Sequence, residues 1–324
     1  MLAKRRSIKL NGKEIIQTPL LVPSFSSKGF PDVNLIIQFI DEILTDCYLV
    51  SAYDLHHGLV GKLKSIPELI FVDSGGYECS KDLEFSDLGL LPHDTKEWTS
   101  EMHLEALQKL DLAIPTVLIS YDNPKHRLTI PEQIKNAELL HTGLNVVKEI
   151  LLKPETKEQK YIQLDSILQN VHKLAVFDVI GFTEKELGNT LLKRMSNIAK
   201  IRAALSEANL DKPMHIFGSL DTISTPLYFL SGADIFDGLT WLRMAYREGY
   251  TMYMHNAAAY ADGGAKLKDE HIKAHIITKN YYALQDLQSS MRRYLNDKNF
   301  HEFQYNSELF ARIFQDLKAD VGGS

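Results

Sequence analysis

Short apolar runs alternate with longer helical patterns along most of this chain. The runs fall at 20–25, 47–52, 69–72, 115–121, 161–164, 177–182, 214–218 and 235–239. Between them, apolar residues recur at helical spacing over 32–44, 97–110, 131–152, 166–174, 187–210 and 224–231. Parallel strands need crossovers of such length, so eight strands alternating with helices predict a parallel α/β barrel. A doubly wound sheet is the alternative, weakened because no glycine-rich phosphate loop follows the first run. Ahead of the barrel, Asn11-Gly12 between two short apolar segments predicts a β-hairpin with a type I′ turn. Beyond 239 the pattern changes. Residues 252–264 read as a polar loop, 267–295 and 308–319 as long amphipathic helices, and 319–324 as a frayed end. The expected organisation is a hairpin over 1–17, a (β/α)8 TIM barrel over 18–250, and a loop with a C-terminal helical extension over 251–324.

Composition narrows this picture. A length of 324 residues suits one barrel of about 250 residues with added segments. Apolar content of 44% supports a sizeable core. The net charge of −6 argues against bulk electrostatic capture of nucleic acid, although a local basic patch would still serve. Cys47 and Cys79 cannot form a disulfide framework, and neither lies in a CxxC, so a reducing cytoplasm is expected. The basic start, residues 1–6, is followed by no apolar stretch, so neither a signal peptide nor a membrane span is expected.

Barrel enzymes draw catalytic groups from the C-terminal ends of several strands. Here those ends carry Asp73-Ser74, Asp122, Gln163 with Asp165, Gly181-Phe182, Gly218-Ser219 and Asp237. The ordinary role of an Asp such as Asp122 or Asp165 is to cap the next helix. Taken together, the set reads as a site. Asp73-Ser74-Gly75-Gly76 places a carboxylate at a strand tip, and its glycines let a flat ligand approach the backbone. Gly232 to Gly238 repeats the strand-then-acid character with Asp234 and Asp237. Two strand-end carboxylates across a barrel mouth suit displacement at a sugar carbon. Ser24, Ser26 and Ser27 read as helix caps or phosphate contacts. His56 and His57 read as loop residues, because adjacent histidines address one metal ion poorly. Lys4, Arg5, Arg6, Lys125, His126, Arg127, Arg243, Arg247, Arg292 and Arg293 read as solvated surface or as parts of a basic face.

These motifs resemble the tRNA-guanine transglycosylase superfamily, whose members exchange a guanine in nucleic acid for a 7-deazaguanine on a (β/α)8 barrel. The resemblance runs from about Ser7 to Leu295. Thr18-Pro19-Leu20-Leu21-Val22-Pro23 is similar to the family's opening TP-x-x-x-P strand, and Ser51-Ala52-Tyr53-Asp54-Leu55 to its N-T-Y-H-L turn. Asp73-Ser74-Gly75-Gly76-Tyr77 matches D-S-G-G-[FY], the most specific piece. Gly181-Phe182 with Glu184 resembles a shortened G-G-L-x-x-G-E, and Phe217-Gly218-Ser219 the M-G-V-G strand end. Gly232-Ala233-Asp234-Ile235-Phe236-Asp237 matches G-x-D-x-F-D.

The resemblance implies that Asp237 is the nucleophile and Asp73 the general acid and base. It implies a base pocket of Ser74, Gly75, Gly76, Tyr77, Asp122, Gln163, Gly181, Phe182 and Gly218, with Arg243 and Arg247 on the nucleic acid. Tyr246 occupies the place of the family's second arginine, and Arg247 follows one residue late. The incoming base would be a 7-deazaguanine of the preQ0 or preQ1 kind. Departures are equally informative. Glu78 replaces the glutamine after D-S-G-G-[FY], and Ile162-Gln163-Leu164-Asp165 shortens the V-Q-G loop. The family's zinc site is C-x-C-x-x-C with a later His. Here no cysteine follows Cys79, and Lys279 of Ile277-Thr278-Lys279-Asn280 stands where the ligand His would be. No metal or other cofactor is therefore expected, and the zinc lobe should be absent.

Three readings follow. The first is a guanine transglycosylase acting on DNA, favoured by the lost zinc lobe. The second is a zinc-free enzyme acting on tRNA. The third is a non-catalytic partner subunit that binds nucleic acid, disfavoured because Asp73 and Asp237 are both kept. The expected partners are DNA or tRNA and a free base, with no membrane; a homodimer and a partner subunit both stay open.

Overall fold

The computed structural model describes residues 2–61, 67–80, 93–110, 113–122, 127–261 and 266–322. The expected β-hairpin forms from β1 (Ser7–Leu10) and β2 (Lys13–Gln17). Asn11 and Gly12 both adopt positive φ, 52° and 78°, as a type I′ turn requires. Eight parallel strands follow: β3 (Leu20–Pro23), β4 (Cys47–Ser51), β5 (Leu69–Asp73), β6 (Thr116–Ile119), β7 (Val147–Leu152), β8 (Val179–Thr183), β9 (Met214–Phe217) and β10 (Ile235–Gly238). They pair in the order β3-β10-β9-β8-β7-β6-β5-β4. A parallel bridge between Ser24 and Leu49 brings the two ends together, giving a nearly closed TIM-like barrel.

The strands alternate strictly between two cores. Leu20, Val22, Leu49, Phe71, Val117, Ile119, Val147, Leu151, Val179, Phe217 and Ile235 fill the barrel interior, and Ile8 and Ile16 of the hairpin join them. Leu21, Val50, Ile70, Val72, Leu118, Ile150, Leu152, Ile180, Phe182, Ile216 and Phe236 face the helices. A period of two decides which side each residue takes. Extended one step, it points Asp73 and Asp237 inward at the barrel's mouth.

Outside lie α1 (Val33–Ile40), α2 (Ala52–His56), α3 (Gly76–Cys79), α4 (Ser100–Gln108), α5 (Ile130–Leu140), α6 (Leu164–Gln169), α7 (Leu191–Glu207) and α8 (Ser224–Leu230). Beyond the barrel come α9 (Thr240–Arg243), β11 (Ala245–Arg247), β12 (Tyr250–Met252), α10 (Met254–Ala261), α11 (Asp269–Asp297) and α12 (Ser307–Gly322). Among the described residues, no helix is long and apolar enough to cross a membrane. α11 is anchored by two buried amides. Gln288 accepts from Leu21 N at 2.7 Å. Asn280 accepts from Tyr246 N at 2.7 Å and donates to Trp241 O and Met244 O at 2.6 and 2.7 Å.

Several sequence expectations are corrected. Residues 161–164 form no strand; the fifth barrel strand is β7, inside the stretch read as one helix over 131–152. That helix ends at Leu140, and Gly143 with φ 78° turns the chain into the strand. A buried parallel strand and a buried helical segment carry similar apolar runs, so periodicity alone misplaced it. The polar stretch expected as a loop over 252–264 instead holds the end of β12 and α10, with residues 262–265 outside the described set. Residues 319–322, expected to fray, continue α12 to Gly322, and 323–324 lie outside the described residues.

Candidate active site

Asp237, next to last in β10, is almost fully buried and is held by three residues from two segments, the ends of β3 and β9. Ser24, just past β3, donates its hydroxyl to Asp237 Oδ2 at 2.7 Å. The same Ser24 Oγ accepts from Gly238 N at 3.1 Å. Gly218, past β9 with φ +79°, donates its N–H to Asp237 Oδ1 at 3.2 Å. His215 of β9 brings Nε2 to 3.3 Å from the same Oδ1, an ion-pair contact rather than an aligned hydrogen bond. Its Nδ1 lies 2.8 Å from Glu149 Oε1 on β7. Burial opposes the imidazolium, but Glu149 and Asp237 together outweigh it and push His215 up to about 9. Burial also raises Glu149, against the attraction of His215. Because His215 faces two carboxylates, it is the better home for the proton.

Asp73 ends β5 in a different setting. Its carboxyl is partly open to the mouth, while Oδ1 is enclosed with no hydrogen-bond partner among the described residues. Burial pushes it up to about 6; N–H groups of Ser74 and Gly75 oppose the shift, and the charges of Asp237 and Asp122 add to it. Behind it, Glu78 and Asp54 are also buried carboxyls, both raised chiefly by burial. Ser26 donates to Glu78, and Ser27 N donates to Asp54 Oδ2 at 2.8 Å. Ser26 and Ser27 thus meet carboxylates rather than a phosphate.

The Ser74-Gly75-Gly76 turn is tightly enclosed. Gly75 has φ +89°, and a Cβ there would stand 2.4 Å from Tyr53 Cβ. Trp98 Nε1 donates to Ser74 O at 2.9 Å. A Cβ on Gly76 would stand 3.0 Å from Asp122 Oδ2, so the glycine lets Asp122 lie against the turn. Tyr77 Oη accepts from Arg243 Nη2 at 2.8 Å, joining α9 to α3 across the mouth. Lys28 Nζ lies 4.2 Å over the Tyr77 ring.

Asp122 belongs to a charged quartet. Arg127 and Lys153 approach it at 3.3 and 3.4 Å, and both also reach Glu186, at 3.6 and 3.2 Å. Burial opposes the Lys153 charge, but Asp122 and Glu186 outweigh it and raise the ammonium. Lys153 was missed because β7 was misplaced, and Glu186 because it lies in the short turn beyond the tip of β8. A lysine directly after a true barrel strand was the available signal.

Other expected site residues scatter. Gln163 is exposed at the start of α6 rather than at a strand end, and Asp165 lies within that helix. Gly181 faces the interior, where a Cβ would crowd Phe217 and Glu149, but Phe182 is buried under the helices, away from the mouth. Arg247 lines a cavity of about 440 Å³ between β11, β12 and α11, with Lys279, Tyr282, Asp286 and Tyr305, apart from Arg243 and Tyr77. The expected basic face divides. Lys4 and Arg6 pair with Asp211, and Arg6 with Asp234, beside the N-terminal ends of β9 and β10, opposite the mouth. Arg5 donates to Asn296, Arg292 to Gln17 O, and Arg293 pairs with Glu302. Lys125 and His126 lie outside the described residues. Asp234 binds Arg6, Arg202 and Met214 N, which gives it a structural role beside Asp237 of the same motif. His57 contacts Glu97 O and stacks edge-on to Tyr53.

Comparison with known proteins gives one direction. No family model matches the chain. Over 249 residues it is 25% identical to a tRNA-guanine(15) transglycosylase of Nanoarchaeum equitans (strain Kin4-M), a match covering 74% of this chain. The chain spans 57% of that relative's length.

Proposed function

We propose that this chain exchanges a guanine in a polynucleotide for a free 7-deazaguanine through a covalent intermediate on Asp237. One observation carries the reading: two inward strand-end carboxyls occupy one barrel mouth in unlike settings. Asp237 is met by Ser24, Gly218 and His215, whereas Asp73 is pushed up to about 6. A carboxyl held by several donors suits the nucleophile, and one raised by burial suits the acid.

Asp237 Oδ2, contacted by one hydroxyl, attacks C1′. The C1′–N9 bond breaks as the C1′–O bond forms, and Asp73 gives its proton to the departing base. The incoming base then loses its N9 proton to Asp73 and attacks C1′, releasing Asp237. A positioned acid contributes roughly 10²–10⁴-fold to such a step. Ser74, Gly75 and Gly76 offer the base a backbone floor, and Tyr77 a face. Asp122, with Lys153 beside it, faces the polar edge, and Arg243 holds the strand. The target nucleotide must leave any stack to enter.

DNA is the leading substrate. The residues do not fit the family's zinc: no cysteine follows Cys79, and Lys279 replaces the ligand His. A lobe built differently suits a different polynucleotide. The Nanoarchaeum equitans relative, named for tRNA, supports tRNA as the second reading. Labelled guanine offered with DNA and with bulk tRNA in parallel, using Asp237→Ala as control, tests both. Label in DNA alone supports the first reading, label in tRNA alone the second, and label in neither overturns exchange. Metal analysis of the purified protein tests the zinc-free state.

A further inference from the structure

The interior of a TIM barrel is ordinarily filled by branched apolar side chains. Here the layer under the mouth contains a glutamate and a histidine, both fully buried. Glu149 of β7 and His215 of β9 flank β8, whose inward residue at this level is Gly181. A Cβ at 181 would come within 2.9 Å of Glu149 Oε1 and 2.7 Å of Phe217 Cε2, so the glycine opens the space the pair occupies. The imidazole is fixed between rings: it stacks on Phe217 at 3.9 Å and meets Phe71 edge-on at 5.5 Å. Its nitrogens then span from Glu149 Oε1, at 2.8 Å, to Asp237 Oδ1, at 3.3 Å. Burying such charges is costly, and nothing in barrel packing demands them.

We infer that Glu149 and His215 are positioning residues, a buried relay that aims the Asp237 carboxylate by engaging Oδ1 and leaving Oδ2 for attack at C1′. This inference rests on the exchange reading. The charge accounting favours it. When Asp237 becomes an ester it loses its charge, and Glu149 still balances the imidazolium. Without Glu149, each turnover would strand a buried cation. The titratable groups facing His215 are Glu149 and Asp237, with Asp73 next beyond Asp237. Among the hydrophobic residues of the inner cluster, the one further titratable group is the Cys47 thiol, which burial keeps neutral. The imidazole itself is pushed up to about 9.

The test combines imidazole ¹⁵N NMR titration with pH profiles of guanine exchange, on the wild type, Glu149→Gln and His215→Gln. The wild type should show one imidazole doubly protonated up to pH about 9, missing in His215→Gln and titrating at lower pH in Glu149→Gln. The kcat profile should fall twice on its alkaline side, through about 6 as Asp73 loses its proton and again through about 9 as His215 does, and Glu149→Gln should move that second limb to the acid side. Its kcat should fall roughly 10–100-fold with KM little changed. If His215→Gln does not fold, loss of the high-pH signal in Glu149→Gln serves instead. A protein whose imidazoles are all neutral at pH 8 overturns the relay. So does an exchanging Glu149→Gln enzyme with an unmoved limb. A wild type that titrates as expected yet exchanges no base overturns the reading on which the aiming role rests, a separate failure.

Discussion

Gly75 and Tyr53 are so close that a Cβ on the glycine would stand 2.4 Å from the tyrosine's own Cβ. Tyr53 is fully buried, and its hydroxyl accepts from Lys96 N at 2.7 Å, so it has no room to withdraw. With φ +89° at Gly75, a side chain is doubly penalised. Left-handed backbone costs about 1–2 kcal/mol for an L-residue, and overpacking about 1–3 kcal/mol more. Gly75→Ala should lower the denaturant midpoint and abolish exchange by displacing Asp73. A stable, active Gly75→Ala protein would refute this account of the turn.

Asp73 links stability to pH. Its carboxyl rises from an ordinary 3.8 to about 6 on folding, so the folded state binds the proton more tightly than the unfolded chain. The stabilisation is present below about 4 and is lost as pH rises through about 6. Asp73→Asn should therefore be more stable than the wild type above pH 6, by roughly 1–3 kcal/mol, and no more stable below pH 4. Exchange should fall at least about 10²-fold. Urea titrations at pH 4 and pH 8 decide it; equal differences at both would contradict the assignment.

Ser24→Ala removes the donor to Asp237 Oδ2 and the acceptor of Gly238 N together. A loss of about 1–2 kcal/mol in stability is expected. On the proposed mechanism the larger effect should be on kcat, since Asp237 Oδ2 loses its alignment while the base pocket is untouched. An equal loss in KM alone would assign Ser24 to binding instead.

Lys153→Met leaves Asp122 and Glu186 with Arg127 as their remaining cation in the quartet. The expected loss is about 1–3 kcal/mol, below the 3–5 of a fully buried pair, because Lys153 and Asp122 keep some solvent contact. Adding Glu186→Gln should recover part of it. A double variant no more stable than the single one would show that the quartet is not coupled.

Most of the barrel was legible as apolar runs. Those beginning at Leu20, Cys47, Leu69, Met214 and Ile235 open on the strands' own first residues. β7 was not, because Lys148 and Glu149 within it look like the polar face of a helix. Glu149 is instead buried against His215, a partner 66 positions away. That one misplaced strand carried Gln163 into the expected site and left Lys153 out of it. His215 drew no reading within the run 214–218, since nothing local announces a buried ion pair. Arg6 and Arg292 looked like surface charge, yet Arg6 is nearly fully buried against Asp234.

By itself the sequence determined the strand-end chemistry. Strict alternation along each strand decides which side a residue faces, so Asp73 and Asp237 were bound to point into the mouth once their strands were known. What each carboxyl does was decided only by the tertiary structure. Ser24 reaches Asp237 from the far end of the sequence, while Gly218 and His215 reach it from the neighbouring strand, and Asp73 is raised by burial and by the charges of Asp237 and Asp122. Hydrogen bonds and Coulomb forces act over ångströms in space, and sequence separation carries no measure of them.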